Sequence, residues 1–158
     1  MGKIVLVDSS VLLNILNVPG RNQRRQETLD TLKQHVDAGD RLYLPLACII
    51  ETGNHLARLS DGHDRRRLAE AFASKVTEAI ENRAPWQIVP TGGSDQSDWR
   101  DLRNWLARFP DDATRGLSFT DAIIIYVYDT YCKKSRMSHV CVWALDSHLH
   151  GLDRPSSR

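Results

Sequence analysis

Ile4-Val5-Leu6-Val7-Asp8-Ser9-Ser10-Val11-Leu12-Leu13 reads as a strand that turns directly into a helix. Four consecutive aliphatics, β-branched residues among them, mark a short buried strand. Ser9 and Ser10 then supply N-cap chemistry for a helix through about Asn17, and Pro19-Gly20 ends the unit. The alternation continues down the chain. Residues 22–38 form a second predicted helix, with Leu29, Leu32 and Val36 as its apolar stripe and Gly39 as its stop. Leu42-Tyr43-Leu44 is a strand ended by Pro45. Helices follow over 46–59 and about 64–82, the latter burying Leu68, Ala71 or Phe72, Val76 and Ile80. Residues 86–89 are a third strand and 90–94 a loop.

The second half keeps the rhythm. Trp99, Leu102, Leu106 and Phe109 fit the spacing of an amphipathic helix over 98–109. Trp99 and Trp105 fall on different sides of it, which leaves at least one of them to face a partner. Residues 110–116 read as a polar connection, with Asp111-Asp112 a solvated turn. Residues 120–132 are apolar nearly all round, as a central buried helix would be, and Lys133-Lys134 suits its C-terminal dipole. Residues 139–145 are the last clear strand, and the end from Pro155 is frayed. Strands alternating with helices imply an α/β fold of three layers, α/β/α, around a central, mostly parallel sheet of four to five strands. One domain over 1–152 and a flexible tail over 153–158 account for the chain.

Bulk properties narrow the function. A net charge of +1 gives no global field, so any nucleic-acid binding rests on local patches. No apolar stretch approaches the ~20 residues of a membrane span. The start, Met1-Gly2-Lys3, lacks a leader's cleavage signature, and Leu6 stands where a myristoylation signal needs Ser or Thr. Cys48, Cys132 and Cys141 are odd in number and form no CxxC pair, which fits reduced thiols in a cytoplasmic protein.

The chemistry lies in four acids. Asp8 ends one apolar segment and Asp146 another; Glu51 follows Cys48-Ile49-Ile50, and Asp121 opens Ala122-Ile123-Ile124-Ile125. Ionised carboxylates are costly to remove from water, so four set against core-forming segments point to a shared cation. Asp8 and Asp146 fall at carboxyl ends of strands, where parallel sheets bind ligands. An all-oxygen set suits Mg²⁺, with Mn²⁺ as substitute. Such an ion polarises phosphate esters and acidifies water. Ser10 either caps the first helix or turns its hydroxyl to Asp8. Taken singly, Asp8 and Asp121 are also ordinary helix-start acids. Arg21, Arg24 and Arg25, and Arg65-Arg66-Arg67, either contact an RNA backbone or line exposed helical faces. His148 and His150 read as surface residues at the site mouth.

These segments resemble the PIN-domain family. Residues 4–13 look like its opening, a strand delivering an Asp with Ser or Asn two positions on. Ile49-Ile50-Glu51 matches its acidic position on a mid-chain helix. Ser118-Phe119-Thr120-Asp121-Ala122-Ile123-Ile124 is similar to its third motif, and Trp143-Ala144-Leu145-Asp146-Ser147-His148-Leu149 to its last. The likeness runs from about residue 4 to 150, and the size is that of the VapC-like toxins. It implies a PIN-like fold and a Mg²⁺- or Mn²⁺-dependent endoribonuclease acting on RNA. Metal and catalysis would rest on Asp8, Glu51, Asp121 and Asp146, with Ser10 assisting. It further implies a homodimer and a small antitoxin protein as partner. Ala144 and Leu149 depart from the pattern, which carries a hydroxyl and an aromatic at those places. The alternative they motivate is a catalytically degraded RNA-binding or assembly module.

Overall fold

The computed structural model describes residues 2–89 and 99–156. In chain order the elements are β1 (Ile4–Val7), α1 (Ser9–Ile15), α2 (Arg25–Asp37), β2 (Arg41–Pro45), α3 (Leu46–Ala57), α4 (Gly62–Ile80), β3 (Trp86–Val89), α5 (Trp99–Thr114), α6 (Phe119–Lys134), β4 (Val140–Trp143) and β5 (Asp153–Arg154). A 3₁₀ turn over Ser147–Leu149 follows β4. The strands form one sheet in the order β3-β2-β1-β4-β5. All pairings are parallel except β4 with β5. The fold is the α/β class expected, with a mostly parallel sheet.

β1 occupies the middle because every residue in it is apolar and both its faces are covered. Val5 and Val7 point into a cluster with Leu12, Ile15, Leu44 and Ala79. Ile4 and Leu6, on the opposite face by strand alternation, join Trp105, Tyr126 and Val127. Helices therefore layer both sides. Each fully buried aliphatic here is worth about 1.5–3 kcal/mol. From β1 the chain steps outward through β2 to β3, then returns to β1's other side as β4. That reversal leaves a crevice beyond the carboxyl ends of β1 and β4. Among the described residues no helix is long and apolar enough to cross a membrane.

Several boundaries and faces differ from the sequence expectations, each for a local reason. Asp8, not Ser9 or Ser10, is the N-cap of α1; its carboxylate accepts the Ser10 backbone N–H at 3.0 Å. Along α2, Val36 is 49% exposed and His35 takes the inward place. The imidazole lies 5.1 Å from the Trp143 ring and bonds Asp40 at 2.8 Å. Ile80 is 65% exposed because Ala79, about 100° round the helix, faces the core in line with Leu68. Residues 153–154, assigned to the tail, pair with β4 as β5. There the Arg154 guanidinium donates to the carbonyls of Cys132, Ser135 and Ser138 at the end of α6. The loop over 90–94 and the side chain of Trp99 lie outside the described residues, whereas Trp105 is buried against Tyr126.

The connection expected at 110–116 is mostly helix, since α5 runs through Pro110 to Thr114. Asp112 is no solvated turn residue. It is buried, accepts the Tyr126 hydroxyl and pairs with Arg115. That bond holds the Asp112 carboxyl below its ordinary range, while burial pushes the Tyr126 phenol up to about 12. Tyr126→Phe removes one donor from a buried carboxylate and should cost about 1–3 kcal/mol in urea unfolding. An unchanged midpoint would show that α5 is not anchored there.

Candidate active site

The crevice collects side chains from five places. Asp8 follows β1, Glu51 sits in the middle of α3, Asp121 is in the first turn of α6, and Asp146 caps the 3₁₀ turn after β4. Ser9 and Ser10 open α1. Asp8 is only 1% exposed, whereas Asp146 faces solvent.

Two serines wire the acids together. The Ser9 hydroxyl donates to Glu51 at 2.8 Å and stands 3.5 Å from Asp8 Oδ1. One hydroxyl thus bridges carboxylates 43 positions apart in sequence, Asp8 and Glu51. Ser10 Oγ donates to Asp8 Oδ2 at 2.5 Å and accepts the Leu145 backbone N–H at 3.0 Å. That second bond fixes the residue before Asp146 against α1. Of Ser10's two expected roles, the hydroxyl turned to Asp8 is the one observed, and capping falls to Asp8 itself. Ser118 caps α6 by accepting the Asp121 N–H at 3.0 Å.

The electrostatics tie the set further. Burial raises the Asp8 carboxyl above its ordinary value and Asp146 adds to this, against hydrogen bonds from Ser10 and Ser9. Glu51 is raised by burial and by the charges of Asp8, Asp121 and Asp146, against the Ser9 bond. Asp121 is raised by burial and Asp146, while bonds from Ser118 and the charge of His148 pull it down. Beneath them, the buried Cys48 thiol is pushed well up by burial and by Asp8, Glu51 and Asp121. It stays a protonated thiol rather than a thiolate ligand. No described lysine or arginine forms an ion pair with any of the four acids, so their mutual repulsion is met only by imidazoles, His55 at 4.0 Å from Glu51 and His148 acting on Asp121.

Four carboxylates and two hydroxyls form an all-oxygen donor set, the chemistry of Mg²⁺ rather than of zinc. Among the described residues no three His, Cys, Asp or Glu side chains already stand close enough to hold a metal ion. Mg²⁺ sites do not require that. They commonly use one or two carboxylates directly and retain several waters, which outer acids then hold. The donor chemistry fits a hard divalent ion; the closing of the outer acids around it is not preformed.

The rim is basic. Arg21, Gln23 and Arg24 line a hollow of about 220 Å³ with Ser10, Asn14, Leu145 and Asp146. Arg24 pairs with Glu27 and reaches the Leu145 carbonyl at 3.4 Å. Asn14 locks this loop in place, donating to Ser10 O and accepting the Arg24 N–H, both at 3.0 Å. Arg65, Arg66 and Arg67 are engaged elsewhere, with the Leu59 and Ser60 carbonyls, Glu70 and Asp64. They form the exposed-face reading of that run. Leu149, in place of an aromatic, is buried in the core at 1% exposure.

The sequence expectations give Ser9 only a capping role and leave out Asn54 and His55 on α3 and Arg58 at its C-cap. His55 lies 4.0 Å from Glu51, and its pKa is lowered by burial and by Arg21 and Arg58. The available signal was the spacing Glu51, Asn54, His55, Arg58, which puts all four on one helical face.

Ser10→Ala strips the link between Asp8 and the Leu145 N–H. The variant should lose about 1–3 kcal/mol of stability, since a partly buried N–H is left unpaired. It should also weaken divalent-ion binding by about 10–100-fold, as supporting hydrogen bonds to metal ligands do. Calorimetric titration with Mn²⁺ checks this, and wild-type affinity would show that Ser10 supports only the helix. No protein-family model matches the chain, and no curated protein matches it in sequence.

Proposed function

We propose that this protein is a metal-dependent endoribonuclease that hydrolyses RNA phosphodiesters at the crevice over β1 and β4. The observation that carries the reading is the delivery of Asp8, Glu51, Asp121 and Asp146 by four separate elements to one crevice, with Asp8 and Glu51 joined through the Ser9 hydroxyl and no lysine or arginine paired to the four among the described residues. Carboxylates stay together under mutual repulsion most readily when a cation is their intended partner. The PIN-like order of the four motifs supports the choice of RNA and of hydrolysis, and the three-layer fold accommodates it.

Asp8 and Glu51 would hold Mg²⁺ or Mn²⁺, with Asp121 and Asp146 closing from the rim. When bound, the ion supplies positive charge against the phosphate and lowers the pKa of water. The chain's own residues do the rest. Ser9 keeps Asp8 and Glu51 at a fixed separation, and Ser10 keeps the Asp146 turn docked. Arg21 offers charge-assisted hydrogen bonds to the phosphates entering beside Asp146, and Arg24, held by Glu27, lines the same hollow.

The toxin role, a homodimer and a small antitoxin partner belong to the same reading and follow from the family likeness. A second reading, an RNA-binding or assembly module, draws on Ala144, which offers no hydroxyl before Asp146. One assay separates them: cleavage of end-labelled single-stranded RNA with Mg²⁺ or Mn²⁺, and with EDTA. Cuts that need the ion support the nuclease. Intact RNA with retained binding supports the module.

A further inference from the structure

Beside the carboxylates, between α3 and the start of α6, lies a second hollow of about 220 Å³ lined by Ile50, Glu51, Asn54, His55, Arg58 and Thr120. It shares Glu51 with the acidic centre, and Thr120 adjoins Asp121. Its volume is below the roughly 300–1,000 Å³ of drug-sized pockets. A space of that size is nearer to one ring system than to a larger ligand.

Asn54 and Arg58 stand exposed at the mouth of the hollow, open to a ligand from solvent. On α4, acids and bases pair along the surface, Asp64 with Arg67 and Arg66 with Glu70. On α3 the stripe Glu51, Asn54, His55 and Arg58 turns into the hollow, and among the described residues the Arg58 guanidinium and the Asn54 amide have no hydrogen-bond partner. Ile50 is 57% exposed beside them, an apolar surface left open to water. From Glu51 to Arg58 the helix rises about 10 Å, so the guanidinium serves a neighbouring phosphate rather than the reacting one.

We propose that this hollow is a nucleotide subsite, in which one unpaired nucleotide next to the scissile phosphate sets its base against Ile50, presents its edge to Asn54 and gives its phosphate to Arg58. This rests on the nuclease reading and adds the residues that choose the cleavage position. Single-stranded RNA is read in this manner, by splayed bases bonded along their edges. Arg58 supplies the salt-dependent part of affinity, and Asn54 the discriminating part.

The test uses a ten-nucleotide single-stranded RNA with Mg²⁺ present, the Asp8→Asn protein to measure binding, and the otherwise wild-type protein to measure cleavage. Arg58→Ala should weaken binding about tenfold. It should also lower the slope of log affinity against log salt by about 0.7, the contribution of one phosphate contact on a single strand. Arg66→Ala, on the paired face of α4, should do neither. Asn54→Ala should leave that slope alone and broaden the base distribution at the cut in a randomised RNA pool. A slope for Arg58→Ala equal to that of Arg66→Ala overturns the proposal, as does an unchanged base distribution for Asn54→Ala. Absence of RNA binding by the Asp8→Asn protein overturns it too. Failure of the nuclease reading gives a different signature, in which RNA stays intact with every metal while the binding arm is still measured.

Discussion

Asp8→Asn should retain its fold and cleave RNA at less than about one hundredth of the wild-type rate. Removing partners behind metal ligands already costs about 10–100-fold, and Asp8 is assigned to the ion directly. The substitution is unusually clean here. Asn caps helices as well as Asp does, so the Ser10 N–H keeps its acceptor. Burial and Asp146 raise the Asp8 pKa, so the ionised form is strained in the folded chain. Taking the charge away should therefore leave the metal-free variant as stable as wild type or more so. Activity and stability are expected to move in opposite directions. A joint fall of both would reduce Asp8 to a helix cap, and full activity would remove it from the chemistry.

The pH dependence of stability supplies the second large effect. Asp8, Glu51 and Asp121 all titrate above their ordinary values of 3.8, 4.5 and 3.8 when folded. Between those values and the raised ones, the folded chain binds more protons than the unfolded chain. Stability from these groups is thus present at low pH and falls as pH rises through that window. Asp112, held low by its Tyr126 bond, works oppositely and loses stability as pH falls. Comparing wild type with Asp8→Asn isolates the first effect. The variant's advantage should vanish below the ordinary Asp value of 3.8 and grow as pH rises above it. At pH 7, Mn²⁺ at a hundred times its Kd should add about 2.7 kcal/mol, or roughly 5–10 °C in Tm for a chain of this size. Acidification should erase that gain as the carboxylates take up protons. A melting temperature indifferent to Mn²⁺ at pH 7 would sink the metal assignment.

What the sequence made legible was whatever lay contiguous in it. Ile4–Val7 followed by Asp8 announces a buried strand delivering an acid, because four aliphatics in a row leave few alternatives. Asp121 and Asp146 were readable by the same logic, each abutting an apolar run. Choices between adjacent residues were not. Ser9 and Ser10 carry identical chemistry, and only the phase of α1 against α3 decides which hydroxyl meets Glu51. His35 and Val36 exchanged places for a similar reason, as did Ala79 and Ile80. Pro110, Asp111 and Asp112 are turn formers by local preference. The Tyr126 hydroxyl, fourteen residues on, recruited Asp112 into a buried pair and carried the helix past them. Local propensity yields to a tertiary partner that no short window contains.

The contact of Ser10 with the Leu145 N–H spans 135 positions and joins the first strand's exit to the last parallel strand's exit. During synthesis the ribosome releases Asp8 first and Asp146 only 138 positions later. A growing polypeptide therefore carries no complete set of acids until the segment bearing Leu145 and Asp146 has emerged and docked on Ser10. If the centre cuts RNA, a nascent copy cannot attack its own message or translating ribosome, and the delay is written into the topology itself.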